Sequence, residues 1–273
     1  MEGIRGKVVG EDGVSIGLLT AGSGPALLLV HGGMGRLESW APVWSKLAEH
    51  RQVTAMDRRG RGTSGDTVAY SLSKEFADIV AVATHIAARQ SAPVDVFAHS
   101  FGATCTLGAA ARGAPFRRLA LYEPPGPQTV PAEWVERVCA LVAEGKSGRA
   151  MFSFVTEIVG LSPEQFEGYR NLPGAEGVLA IVAATMPREA RALTSVDLGE
   201  LAEAVAVPVL LLLGATSPGW AAQITRALEA ALADPQVAVL AGQGHDALDS
   251  APDLVVEELV RFFDSPGSPL AGS

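Results

Sequence analysis

Short, largely apolar runs recur along the chain, each followed by a polar or glycine-rich turn: Ala26–Val30, Val53–Met56, Val94–Ala98, Leu119–Tyr122, Val209–Leu213 and Val237–Leu240. Continuous rather than alternating hydrophobicity marks strands covered on both faces, as in a parallel sheet lying between helices. Stretches with helical periodicity separate most of these runs: Glu38–Glu49, Lys74–Arg89, Phe101–Ala111, Trp220–Ala233 and Asp253–Phe263. The alternation predicts an open α/β sheet. From Pro124 to Val207 the rhythm changes to helix-like pieces (Ala132–Ala143, Ser147–Val159, Pro187–Thr194) with no buried strand between them. That interval, 124–207, is expected to be a helical cap inserted between two strands of a single domain whose core is 1–123 and 208–264. The Ser-, Pro- and Gly-rich end, Ser265–Ser273, is expected to be disordered.

At 273 residues with 48% hydrophobic content, the chain can fill one sizeable core. Its formal net charge of -9, spread without long like-charge runs, argues against nucleic acid or an anionic membrane as a partner. Cys105 and Cys139 are too few for a disulfide scaffold and lack metal-ligand spacing. Met1–Gly13 holds no apolar stretch resembling a signal peptide, and no run is long enough to span a bilayer, so a soluble cytoplasmic protein is expected. No cofactor or metal is expected. The expected partner is a small-molecule substrate, with a homodimer left open.

Candidate chemistry starts at Ala98-His99-Ser100-Phe101-Gly102, which follows a strand-like run and opens a helix-like one. A serine on so sharp a bend needs small residues two positions to either side, so that strand and helix can approach. The same pattern recurs at Ala215-Thr216-Ser217-Pro218-Gly219. Pro218 has no N–H to offer a developing oxyanion, whereas Phe101 does, so Ser100 is the candidate nucleophile and Ser217 the candidate helix cap. His31-Gly32-Gly33-Met34-Gly35 follows the first buried run. Its glycines let backbone N–H groups approach a reacting carbonyl, with Gly33 the preferred second donor beside Phe101 and Met34 the runner-up. Of five histidines, His50 and His85 lie in unremarkable polar and helical contexts, His31 anchors its loop, and His99 should diverge from its neighbour Ser100. His245, in Gly244-His245-Asp246 after the last strand-like run, is the candidate general base.

These motifs, with Asp57-Arg58-Arg59-Gly60-Arg61-Gly62-Thr63-Ser64 and Leu121-Tyr122-Glu123-Pro124-Pro125, make the chain resemble the α/β-hydrolase superfamily over nearly its whole length. The resemblance implies a mostly parallel central sheet with helices on both faces and an inserted helical cap, and it gives Asp57 a structural part in the turn after its strand. It also implies an acidic residue after the penultimate strand, yet Leu213–Pro218 contains no carboxylate. Glu123, at the end of the strand after the elbow, is the preferred substitute, as in some lipase-like relatives, and Asp246 is the runner-up. The resulting expectation is a serine hydrolase acting on a small, largely apolar ester, thioester or lactone, with Met34, Phe101, Trp134, Phe152 and Phe154 available to line the pocket. The aspartate nucleophile of epoxide hydrolases and haloalkane dehalogenases is argued against by Ser100. Two rival readings remain at this point: a lyase, cyclase or isomerase using Ser100 and His245 for proton transfer, and a ligand-binding protein without turnover.

Overall fold

The computed structural model describes residues 1–171 and 175–265; most of the expected disordered end, 266–273, lies outside the described residues. The strands are β1 (Ile4–Val9), β2 (Ser15–Ala21), β3 (Ala26–Val30), β4 (Gln52–Met56), β5 (Val94–His99), β6 (Phe116–Tyr122), β7 (Val209–Gly214) and β8 (Pro235–Leu240). They form an eight-stranded sheet of order β1-β2-β4-β3-β5-β6-β7-β8. Pairing is parallel from β4 through β8 and antiparallel between β1, β2 and β4. The helices are α1 (Ala41–Ala48), α2 (Leu72–Gln90), α3 (Phe101–Ala111), α4 (Ala132–Ala143), α5 (Ser147–Ser153), α6 (Pro163–Arg170), α7 (Ala175–Leu193), α8 (Leu198–Glu203), α9 (Gly219–Ala231), α10 (Ala247–Ser250) and α11 (Pro252–Asp264).

All five residues of β3 are buried, and successive side chains of a strand point to opposite faces. Leu28, Val30, Val96, Leu121 and Leu211 therefore join Ile79 and Val82 of α2, Leu107 of α3 and Ile224 of α9 on one side. Leu27, Leu29, Phe97, Leu210 and Leu212 meet Val43 and Leu47 of α1 and Val255 and Leu259 of α11 on the other. The largely apolar runs are thus the physical signature of a sheet with two covered faces.

Strand order reverses at β3, which has β4 on one side and β5 on the other. The loops after β3 and β5 diverge there, leaving a crevice at the carboxyl ends of the strands. Over it lies the segment between β6 and β7, which is helical with no strand among its described residues. Met151, Val155, Phe166, Val182 and Ala183 give this insertion a small core of its own, while Trp134, Val138, Met186 and Leu193 join the main core.

Three features differ from expectation. The β1–β2 hairpin was not foreseen, because β1 is almost wholly exposed and carries no apolar periodicity. Helix α7 begins well before Pro187, the expected start, and continues through that proline. Ser217 does not cap α9: Pro218 occupies the capping position, and the Ser217 hydroxyl has no hydrogen-bond partner among the described residues. No helix among the described residues is long and apolar enough to cross a membrane.

Candidate active site

Ser100 forms the bend between β5 and α3 with φ 53° and ψ −127°. A non-glycine residue held there stores about 1–3 kcal/mol of strain, so neighbouring bonds must enforce it. The Ser100 N–H donates to the Tyr122 carbonyl at 2.8 Å, and its own carbonyl accepts from the Ala103 N–H at 2.8 Å. Close packing requires the small neighbours: a Cβ on Gly102 would lie 2.4 Å from the His31 carbonyl oxygen, and one on Gly32 would lie 3.0 Å from the Ser100 Cβ. Ala98 is fully buried, and its methyl is accommodated.

Glu123 directly follows β6, has a positive φ of 47° and is almost completely buried. One carboxylate oxygen accepts the Gly214 N–H at 2.7 Å, and the other lies 2.5 Å from His245 Nδ1. The last residue of β7, whose following loop lacks a carboxylate, thus supplies a backbone donor that orients the carboxylate just after β6. With Nδ1 engaged, Nε2 is the ring nitrogen left for the cavity whose wall His245 shares with Ser100. Asp246 also lines the open part of that space, but it is Glu123 that holds the ring.

Two residues not foreseen as contributors fix the His245 loop. The His99 Nε2–H donates to the His245 carbonyl at 3.1 Å, and the Tyr122 hydroxyl donates to the Gly244 carbonyl. The His99 ring stands 4.7 Å from the His245 ring, with Trp220 edge-on at 5.5 Å. Burial, and then the neighbouring His245, holds His99 well below the usual histidine range, so it stays neutral. His99 does diverge from Ser100, but toward the backbone of the other candidate residue. Adjacency in one sequence carries no signal for that.

The loop after β3 is held from behind. His31 Nδ1–H donates to the Gly32 carbonyl at 2.9 Å and its Nε2 accepts the Arg58 N–H at 3.0 Å. Both nitrogens are used in backbone bonds, and burial, followed by the Arg58 charge, keeps the ring neutral. The Gly32 carbonyl also accepts from Arg58 Nη1 at 3.2 Å, and the Gly33 carbonyl from Arg61 Nη2 at 2.6 Å. Peptide planes are trans, so the N–H groups of Gly33 and Met34 face the opposite way from those carbonyls. The Phe101 N–H, in the first turn of α3, has no acceptor within its helix. Asp57 accepts from the N–H groups of Leu37 and Thr63 at 2.8 and 2.7 Å, tying down the turn after β4.

A narrow, apolar cavity runs inward from Ser100 between Phe101, Val130, Trp134, Phe154, Met186 and Trp220. A wider opening leads outward past Gly33, Met34, Phe154 and His245. Trp134, Phe101 and Phe154 therefore line the inner space, and Met34 only the outer. Phe152 lines neither: it is 41% exposed and packs on Phe166 at the outer side of the insertion, because Met151, Val155 and Phe154 take the inward face. Among the described residues no group of three or more His, Cys, Asp or Glu is arranged to hold a metal.

Residues 27–258 match the model of the alpha/beta hydrolase family, and the chain belongs to that family. It is 33% identical to an alpha/beta hydrolase from Sphaerobacter thermophilus DSM 20745, whose crystal structure superposes with a TM-score of 0.81 over 94% of this chain and 100% of that one. N-formylmaleamate deformylase of Pseudomonas putida is 34% identical over 142 residues, 49% of this chain and 52% of that protein. Fluoroacetate dehalogenase of a Burkholderia species is 42% identical over 67 residues, 24% of this chain and 22% of that protein. The chain thus matches about half the length of the first of these curated relatives and less than a quarter of the second.

Proposed function

We propose that the chain is a serine hydrolase that cleaves small, largely apolar esters, thioesters or lactones through an acyl-enzyme on Ser100. The reading is carried by the 2.5 Å contact between Glu123 and His245 Nδ1 beside a serine strained onto a bend in the same cavity. Ser100 Oγ attacks the carbonyl while His245 Nε2 takes its proton. Glu123 keeps the imidazole in the Nδ1–H tautomer and stabilises the imidazolium as it forms. The N–H groups of Gly33 and Phe101 receive the oxyanion. His245 then returns the proton to the leaving group, and water, activated by the same imidazole, releases the acid.

The inner cavity takes the acyl group, and the helices between β6 and β7 act as the cap that shields it. Its apolar walls favour carbon chains by about 0.8 kcal/mol for each methylene withdrawn from water, until the space is filled. The similarity to a protein named as a deformylase is a reason to include N-formyl amides among the substrates tested.

Hydrolysis of p-nitrophenyl butyrate by the parent, Ser100→Ala, His245→Ala, Glu123→Gln and Asp246→Asn tests the assignment. Ser100→Ala and His245→Ala are expected to lose on the order of 10⁴-fold or more in kcat, and Glu123→Gln about 10³–10⁴-fold, with Asp246→Asn near the parent. Full turnover by Ser100→Ala would rule out the acyl-enzyme. Parent-like rates for Glu123→Gln would remove Glu123 from the mechanism.

A further inference from the structure

The two arginines behind the glycine loop are buried and share a carboxylate that comes from the insertion. We infer that Glu189 of α7 is a positioning residue that sets the oxyanion loop through Arg58 and Arg61, an inference that rests on the acyl-enzyme reading above. Glu189 is 4% exposed, and one oxygen of its carboxylate accepts from Arg58 Nη2 at 2.6 Å and from Arg61 Nη2 at 2.9 Å. Arg58 Nη2 also donates to Glu75, at 2.8 Å, and the guanidinium lies 4.5 Å over the Phe101 ring. Arg61 is tied a second time to α7 by a hydrogen bond to the Thr185 hydroxyl. Arg58 and Arg61 are the same side chains that hold the carbonyls of Gly32 and Gly33.

Glycines have no side chain with which to fix their own peptide planes, so the loop is oriented by what binds its carbonyls. A rigid trans peptide transmits that orientation to the N–H on its opposite edge, the edge that faces the oxyanion. Arg58 and Arg61 carry two positive charges against the two negative charges of Glu75 and Glu189. Removing Glu189 leaves one buried guanidinium uncompensated, and it must shift toward another acceptor or toward water. The seating of the inserted helices and the geometry of the oxyanion loop thereby become one event. Glu189 also lines the inner cavity, so a wall contact with the acyl group would show in KM, whereas action through the arginines shows in kcat.

The test compares the parent, Glu189→Gln and the double variant Glu189→Gln/Arg61→Met in p-nitrophenyl butyrate hydrolysis and in inactivation by a fluorophosphonate, with a thermal melt of each. Glu189→Gln is expected to lower kcat and the limiting inactivation rate together by about 10–100-fold, with KM and the inactivator's binding constant within about twofold of the parent. The double variant restores charge balance and should recover melting temperature. It should not recover kcat, because the Gly33–Met34 peptide has lost its donor and the loop on that side of the Gly33 N–H is no longer held. Recovery of kcat together with the melting temperature would reduce the cluster to a fold-stabilising one and overturn the inference. An unchanged kcat in Glu189→Gln, or a raised KM with kcat intact, would overturn it as well. Labelling that persists in Ser100→Ala would instead strike the acyl-enzyme reading, and that variant reports on it independently of Glu189.

Discussion

Gly102→Ala probes how the bend at Ser100 is held. Gly102 lies in the first turn of α3, where the helix crosses the end of β3. An added methyl carbon would sit 2.4 Å from the His31 carbonyl oxygen and 2.5 Å from that of Val30. Both are backbone atoms at the end of a fully buried strand, so no rotamer change relieves the clash. Restoring ordinary contact distances requires α3 to retreat by about 1 Å. Ser100 and Phe101 are the bend and the first residue of that helix, so the retreat carries the proposed nucleophile and one proposed oxyanion donor with it. A displacement of this size costs on the order of 10²-fold in rate, and the overpacking costs about 1–3 kcal/mol of stability. The assay is kcat on p-nitrophenyl butyrate beside a urea denaturation curve. Gly148→Ala, in α5 with nothing within 4 Å of the new methyl, serves as the control and should leave the rate unchanged. Parent-like kcat and stability in Gly102→Ala would refute the argument that close helix–strand approach sets the bend.

Tyr122→Phe removes the donor to the Gly244 carbonyl from a fully buried ring, and should cost about 1–3 kcal/mol in urea denaturation as well as lowering kcat; no change in either would show that the His245 loop is held by other contacts. Ser100→Gly should abolish turnover yet raise stability by about 1 kcal/mol, because glycine accepts the positive φ of 53° without strain, and a loss of stability would contradict the strain assignment. His31 and His99 are both held neutral in the fold, whereas their unfolded counterparts titrate near 6.5. As pH falls below 6.5 the unfolded chain takes up protons that the folded chain refuses, so the stability present above 6.5 is progressively lost. For the fully buried His31 the slope is about 1.4 kcal/mol per pH unit until the folded ring itself protonates, with His99 acting in the same direction. Urea curves measured from pH 7.5 to 5.5 should follow that trend, and a flat profile would contradict it.

The parallel part of the sheet was legible because strands covered on both faces have no place for an unpaired polar residue; Asp95 of β5 is buried only with Arg51 and Arg117 paired to it. β3 and β7 accordingly read as continuous apolar runs. The bend at Ser100 was legible because its geometry admits few residues at fixed spacing, and Glu123 because the usual position for an acid, Leu213–Pro218, holds none. The β1–β2 hairpin was not, since β1 buries so little surface that selection for alternation is weak. Phe152 was misplaced for a related reason: an aromatic in a short amphipathic helix can take either face, and only the packing of Phe166 decides which. The parts of His99, Tyr122 and Glu189 were invisible for a different reason. Each acts through a backbone carbonyl or an arginine distant in sequence, and such contacts leave no pattern in spacing or composition.

The central claim, that Ser100 is made nucleophilic by His245 and Glu123, is tested most directly by locating the covalent adduct. Parent protein treated with a fluorophosphonate should gain the mass of one phosphonyl group. After proteolysis, that mass should be found on the peptide containing Ser100 and on no other, and it should vanish in Ser100→Ala. An adduct on a different residue, or none at all from a folded protein, would contradict the account.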